Sequence, residues 1–397
     1  MDHMEENAVL DVLKSGWLVQ GPHVKEFEEK FSLFTGAKHA IATSSCTTAL
    51  HLALLTAGVG PGDEVLLPSF TFIATANAIE YTGARPVFID IDLSTFTISP
   101  AGIRDYLEKH MSGEKHINRY IMPVSLFGLC PDMESINTIA SDYKLQVIED
   151  AACGMGAKRE NHHAGTEALA GCFSFHPRKA VTTGEGGMII TDNDSLAEKA
   201  RMMRDHGASK TDLERHMNEG GSLLPAFDVL GYNYRMTDLQ GALGIAQMSK
   251  AHRILNDRMD SAARYDSLLP ELNMIQPPFV PRGYTHAYQS YVCLYKGNIS
   301  ISEIDGDINW PDIEISNQQR NRIMAGLEKS GISVRQGTHA VHTLGYYKDK
   351  YSLSDHDYPN SYIADRLSIT LPLFSGITEE EQQRVVNSLK DGININM

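Results

Sequence analysis

The chain has 397 residues, 42% of them hydrophobic, and a formal net charge of −15. That length predicts two domains, and that composition a large apolar core. The acidic balance argues against nucleic acid as a partner, because binding a phosphate backbone needs basic patches.

Residues 1–7 are polar and read as a frayed end to a first helix over 5–15. A loop at 16–22 leads to an amphipathic helix at 24–35. From residue 40 to 150 the pattern alternates. Strands are predicted at 40–43, 64–68, 85–90, 120–125 and 145–149. Helices fall between them at 47–57, 71–82, 100–111 and 133–143. Near-continuous apolar strands separated by helices indicate an α/β fold, with a mostly parallel sheet covered on both faces. Further strands follow at 171–175 and 188–191, and a helix at 195–206. The polar stretch 207–221 has little periodicity and reads as a mobile loop or lid. Long helical periodicity over 236–268 bridges a large domain, 1–240, to a smaller α+β domain, 241–397. The smaller domain has a strand at 286–295 and helices at 317–330 and 379–389. The acidic segment 297–315 shows no pattern.

The chemistry concentrates in Phe173-Ser174-Phe175-His176-Pro177-Arg178-Lys179, followed by the Gly-rich turn 182–187. Upstream, the apolar strand at 145–149 runs directly into Glu149-Asp150. Taken singly, Lys179 is an ordinary turn lysine and Asp150 a helix-capping carboxylate. Together they are what pyridoxal phosphate (PLP) chemistry needs. An amine condenses with the cofactor aldehyde, and a carboxylate keeps the pyridine nitrogen protonated so that the ring can accept electrons. A third element, Ser44-Ser45-Cys46-Thr47-Thr48, joins a strand to a helix whose first amides and hydroxyls can hold a phosphate. An ordinary helix cap is the competing reading there. Ligands of such sheets lie beyond the strand C-terminal ends, where all three segments fall.

The five cysteines, Cys46, Cys130, Cys153, Cys172 and Cys293, are odd in number and scattered. They read as reduced thiols, not as a disulfide framework or a zinc site, which points to the cytoplasm. No apolar run reaches membrane-spanning length, so no membrane partner is expected. The histidine pairs His162-His163 and His339/His342 lack liganding partners at metal spacing, and no metal is expected.

The segments FSFHPRKAVTTGEGG, VIEDAACGMGA, SSCTTALHLAL, LFGLCPDM and LGYNYRMTDLQGALG resemble, in order, those of DegT-type nucleotide-sugar aminotransferases, which are fold-type I PLP enzymes. The resemblance implies Lys179 and Asp150 as catalytic residues. It implies Cys46, Thr47 and Ser174 at the cofactor phosphate, Phe72 against the pyridine face, and Cys153 near the 3-hydroxyl. Glycine is usual at position 46, and Gln, His or Glu at 153, so those two contacts depart from the pattern. Asn233 is implied to reach the phosphate in a neighbouring subunit, which would make the enzyme a homodimer with shared sites. Trp17, Glu185 and His339 match substrate-side positions, although Trp17 and His339 also read as packed residues, and Arg204 and His206 could line the cleft. The expected reaction moves an amino group from an amino acid, by family habit L-glutamate, to a nucleotide-linked keto-sugar. FHPRKAVTTGEGG and THAVH point to a perosamine-synthase-like branch. The alternatives are a PLP-dependent sugar dehydratase, which carries histidine where Lys179 stands, and a non-catalytic PLP-binding regulatory protein.

Overall fold

The computed structural model describes residues 1–110, 117–210, 213, 224–297, 299 and 308–396. Most of the polar stretch 207–221 and the middle of the acidic segment 297–315 lie outside the described residues. Seven strands form the main sheet: β1 (His39–Thr43), β2 (Glu64–Pro68), β3 (Arg85–Ile89), β4 (Arg119–Ile121), β5 (Gln146–Asp150), β6 (Ala170–Ser174) and β7 (Gly187–Thr191). Their order across the sheet is β1, β7, β6, β5, β4, β2, β3. All neighbours are parallel except at β7, which runs antiparallel to both β1 and β6. The expected mostly parallel α/β sheet is present.

Strands β2 and β7 are buried along their whole length, as continuous apolar runs covered on both faces must be. On one face lies helix Cys46–Ala57, apolar nearly all round, with Ala49 to Leu54 buried against the sheet. On the other face, helices Pro100–His110 and Met133–Tyr143 bring Ile103, Leu107, Ile136 and Ile139 onto Leu66, Ile121 and Val147. Helix Pro22–Thr35 closes the β1 end through an aromatic cluster. Its Phe31 ring lies 5.0 Å from Phe173 and 5.4 Å from Phe175.

The C-terminal part builds its own three-stranded sheet from Ile275–Gln276, Tyr291–Tyr295 and Ser368–Leu371. Helices Ala251–Leu268, Trp310–Lys329 and Glu379–Asn396 pack on it around Tyr265, Tyr291, Leu327 and Leu389. The same part also returns to the main sheet. Val341 and Tyr347 are buried in the core beneath helix Cys46–Ala57, and His339–Ala340 pairs antiparallel with a short strand at Phe70–Thr71.

Several expectations are corrected. The N-terminus is not frayed: Asp2 caps a helix beginning at His3, reciprocally with Glu5. The helix expected from 71 begins at Ala74, because the backbone at Phe70–Thr71 is taken by His339–Ala340. The long run 236–268 is two helices, Asp238–Met248 and Ala251–Leu268. No Gly or Pro marks that break. Helix Trp310–Lys329 begins inside the segment that showed no pattern. Helices Gly345–Tyr351 and Pro359–Leu367 and strand Ser368–Leu371 were not anticipated.

Consecutive residues Glu149 and Asp150 end β5 on opposite faces of the sheet. Glu149 is 1% exposed and accepts from Ser125 Oγ (2.6 Å) and the Gly165 amide (2.8 Å), and burial raises its pKa to about 7. Between the ordinary glutamate value and 7, the folded protein holds a proton that the unfolded chain has lost. This group's stabilisation is therefore present at low pH and disappears as pH rises through that window. Glu149→Gln should gain on wild type by on the order of 2 kcal/mol as pH goes from about 5 to 8, in urea unfolding at both values. A constant difference would show that Glu149 does not titrate there.

Candidate active site

The sheet order assembles the site. At the carboxyl edge Gly187, the first residue of β7, pairs with Thr43 of β1 on one side and Ser174 of β6 on the other. The 44–48 turn and Ser174, 130 positions apart in the chain, thus flank one glycine. A Cβ at Gly187 would stand 2.3 Å from Ser45 O and 2.7 Å from the Cys46 nitrogen. The turn lies flat on β7 because position 187 has no side chain. Ser45 is the N-cap of helix Cys46–Ala57: its Oγ accepts from the Thr48 amide (3.2 Å), and Thr48 Oγ1 accepts from the Ser45 amide (3.0 Å). The ordinary cap and the turn expected to hold a phosphate are therefore the same structure. The cap uses Ser45 and Thr48, and the first-turn amides of Cys46 and Thr47 have no intrahelical acceptor.

Asp150 is 4% exposed. One carboxylate oxygen accepts from Thr75 Oγ1 (2.7 Å) and the other from the Ala152 amide (3.1 Å). Burial raises its pKa, while Thr75, Ala152 and Lys179 act to lower it. A cation set against this carboxylate would relieve that cost of burial. Lys179 is half-buried, and its Nζ donates to Cys153 Sγ at 3.0 Å. Burial works to lower its pKa, but the acidic groups around it, Cys153 first and then Cys46 and Asp150, hold it above the usual lysine value. Cys46 is half-buried, and burial pushes its thiol well up.

Phe72 is 64% exposed, just past the short strand Phe70–Thr71. It is not a core aromatic. His339 pairs with Thr71 across that strand, so the C-terminal segment reaches the rim next to Phe72. His339 is exposed, with Nδ1 3.9 Å from Asp365 Oδ1. Asn233 is exposed on a segment whose neighbours Tyr232 and Tyr234 turn inward, stack on each other at 4.9 Å and contact the buried His51. The Tyr234 carbonyl accepts from the Ser44 amide (2.8 Å), which ties this segment to the 44–48 turn.

The Trp17 indole donates to Gln20 O (3.3 Å) and lies on Gly21, whose missing Cβ leaves room for it. The exposed Glu185 shapes the 182–187 turn through its carbonyl, which accepts from Thr183 Oγ1 and Gln240 Nε2. The Glu185 carboxylate also lies 3.9 Å from His176 Nε2, in the turn that carries Lys179. Arg204 does not line the cleft. It is 2% exposed and donates to Glu28 and to the Ala42 carbonyl, fastening helix Pro22–Thr35 to β1. His163 is buried and neutral: its Nε2 accepts from the Gly156 amide, and burial lowers its pKa to about 4. Among the described residues no cluster of metal-ligating side chains occurs. Sequence reasoning missed Thr75, Gln289 and Arg335. Thr75 and Gln289 act through contacts between segments distant in the chain. Arg335 is an exposed C-terminal arginine within electrostatic range of Arg178 and Cys153.

A lysine amine, a buried carboxylate and a glycine-floored helix N-terminus converging at one sheet edge match a single profile. The DegT/DnrJ/EryC1/StrS aminotransferase family model matches residues 1–390. The chain belongs to this family. Spore coat polysaccharide biosynthesis protein SpsC of Bacillus subtilis is 33% identical over 98% of this chain and 94% of its own. GDP-perosamine synthase of Caulobacter vibrioides is 33% identical over 98% and 95%. Among solved structures, a putative sugar aminotransferase of Streptococcus pneumoniae in its PMP form superposes with a TM-score of 0.87. It is 26% identical, with 100% of this chain and 98% of that one covered. Helicobacter pylori PseC, an aminotransferase of pseudoaminic acid biosynthesis, gives 0.84 at 25% identity over 100% and 97%.

This DegT-family chain is a PLP-dependent aminotransferase, and its residues fit that cofactor. Asp150 offers a buried anion for a pyridinium, the Cys46 and Thr47 amides and Ser174 a place for a phosphate, and Phe72 an uncovered ring. Among the described residues no helix is long and apolar enough to cross a membrane. Because backbone atoms at Ser45 and Cys46 cannot swing aside, Gly187→Ala should lift the 44–48 turn off β7. The expected cost is about 1–3 kcal/mol in urea unfolding, together with a loss of PLP affinity of about tenfold or more in absorbance titration. Unchanged affinity would remove the phosphate from this turn.

Proposed function

We propose that this aminotransferase takes an amino group from an amino acid, L-glutamate, and delivers it to the ketone of a nucleotide-linked sugar. The observation that carries the reading is Lys179 Nζ beside Cys153, close to the buried Asp150, at an edge rimmed by exposed Phe72 and His339. When bound, PLP supplies an electron sink that lets a proton leave the carbon bearing the amino group. The chain's own residues divide the remaining work. Asp150, braced by Thr75 and the Ala152 amide, holds a pyridinium proton by a charge-assisted bond. The Lys179 amine would hold the cofactor and would serve as the base that moves the proton at the donor carbon. Ser174 and the Cys46 and Thr47 amides bind phosphate, and Phe72 covers a ring face. Cys153 receives the Lys179 amine and is a weak partner for any ring hydroxyl.

Arg335, within electrostatic range of both Cys153 and Arg178, adds positive charge there, which suits the carboxylate of an amino-acid donor or the phosphates of a nucleotide. His339 would meet the sugar from the rim. Exposed Asn233, held outward by its inward-facing tyrosines, suits a reach into a second copy, so the working unit is read as a homodimer with shared sites. Amino-sugar formation for a surface polysaccharide is consistent with the names of the SpsC and GDP-perosamine synthase relatives, and a GDP-linked keto-sugar is the first acceptor to screen.

The test is the absorbance of the PLP-loaded protein before and after L-glutamate, for wild type and Lys179→Ala. Wild type should be yellow and lose the yellow band on adding glutamate, and a true acceptor should restore it. Lys179→Ala should show no such cycle. A yellow wild type inert to glutamate would exclude this donor. A wild type that never turns yellow with PLP would remove Lys179 from its role.

A further inference from the structure

Lys179 is the fourth residue of a turn that begins at His176, where the Lys179 amide donates to the His176 carbonyl at 2.8 Å. Such a turn fixes one side of the residue only. The other side is fixed from the C-terminal part of the chain, by Gln289. Its carboxamide oxygen accepts from the Ala180 amide (3.1 Å), and its amide nitrogen donates to the Arg178 carbonyl (2.6 Å). Both peptide groups flanking Lys179 are therefore bound by one planar side chain. A carboxamide has one acceptor end and one donor end, and here each end meets its complement.

The clamp is itself anchored. Arg258, 8% exposed, donates to the carbonyls of both Tyr288 and Gln289 at 3.2 and 3.3 Å. The Ala287 amide donates to Gly128 O (2.8 Å), and a Cβ on Gly128, whose φ is +105°, would stand 2.9 Å from the Gln289 nitrogen. The next residue, Ser290, receives a hydrogen bond from Arg335 (3.1 Å). Gln289 thus sits on a backbone held from three directions, a larger investment than a surface glutamine needs.

We infer that Gln289 is the positioning residue of Lys179. It sets the line along which the amine leaves the backbone, and so its distance and angle to the reacting carbon. Proton transfer depends steeply on such geometry, and a misplacement of about 1 Å costs about a hundredfold in rate. Gln289 touches no reacting atom. The inference rests on Lys179 being the cofactor-holding amine.

Gln289→Ala removes both bonds. Gln289→Glu is isosteric and keeps an acceptor for Ala180, but it turns a carboxylate oxygen toward the Arg178 carbonyl. Both variants, loaded with PLP, are compared with wild type for kcat and KM toward the amino donor, normalised to bound cofactor, and for the pH at which the yellow band changes form. Gln289→Ala should lose about tenfold or more in kcat, with KM within about twofold, and should shift that pH. Gln289→Glu should fall between it and wild type. A wild-type kcat and pH profile in Gln289→Ala would overturn the inference, even if its melting temperature fell. Should the variants not fold, hydrogen exchange on the wild-type holoenzyme decides. The Ala180 amide should be protected at least tenfold relative to an unfolded chain, and free exchange there would show that the clamp does not exist in solution. A wild type that never forms the yellow species would instead sink the assignment of Lys179, and it is scored separately.

Discussion

An almost wholly buried carboxylate is the constraint around which this site is built. Asp150 ends the central strand β5 almost wholly removed from water, with the Thr75 hydroxyl, one backbone amide and the charge of Lys179 to stabilise it. These do not offset desolvation of an ion, and its pKa rises accordingly. A positively charged ring edge set against it would relieve that cost. The protein thus carries in its fold a preference for a ligand that arrives protonated. The neighbouring Glu149, on the opposite face of the same strand, shows the alternative. Burial first, and the nearby carboxylates Glu167 and Asp150 after it, outweigh its Ser125 and Gly165 donors and take its pKa to about 7.

A second constraint is that the site has no single owner along the chain. The 44–48 turn follows β1, the carboxylate ends β5, and the amine hangs between β6 and β7. The rim joins Phe72 to His339, and Gln289 comes from beyond residue 280. The contacts joining these pieces are mostly hydrogen bonds to main chain: Gln289 to the flanks of Lys179, Tyr234 to Ser44, and His339–Ala340 to Phe70–Thr71. Main-chain anchors tolerate variation in side chains. That leaves a family free to change what lies on the rim while holding the reacting groups still.

The parts legible in the sequence are those with short-range signals. Strand ends at 43 and 68 and the helix at 133–143 follow from apolar periodicity and turn chemistry. The strand expected to end at 149 runs one residue further, to 150. Residue type alone singles out Lys179 and Asp150 as candidates. The departures come from long-range pairing. Nothing local at Phe70–Thr71 says strand, because the strand exists only once His339 lies beside it. Thr75 is an ordinary helical threonine until β5 brings Asp150 to its hydroxyl. Gln289 sits in an aromatic stretch that reads simply as strand, and its role comes from a chain segment about 110 positions earlier. Residues that read as functional for their charge alone went the other way: Arg204 is a buried fastener.

The antiparallel placement of β7 bears on the order in which the molecule can be made. β1 lies at the edge of the sheet and pairs with β7, so residues His39–Thr43 have no sheet neighbour until Gly187–Thr191 have left the ribosome. For that interval a buried-type apolar strand and its adjoining turn wait exposed, the condition in which edge strands recruit wrong partners. Insertion of β7 between β1 and β6 ends the exposure and brings the 44–48 turn against Ser174 in the same step. The meeting of the 44–48 turn with Ser174 is thus among the last steps in forming the sheet, and it marks a chain whose long-range pairing has succeeded.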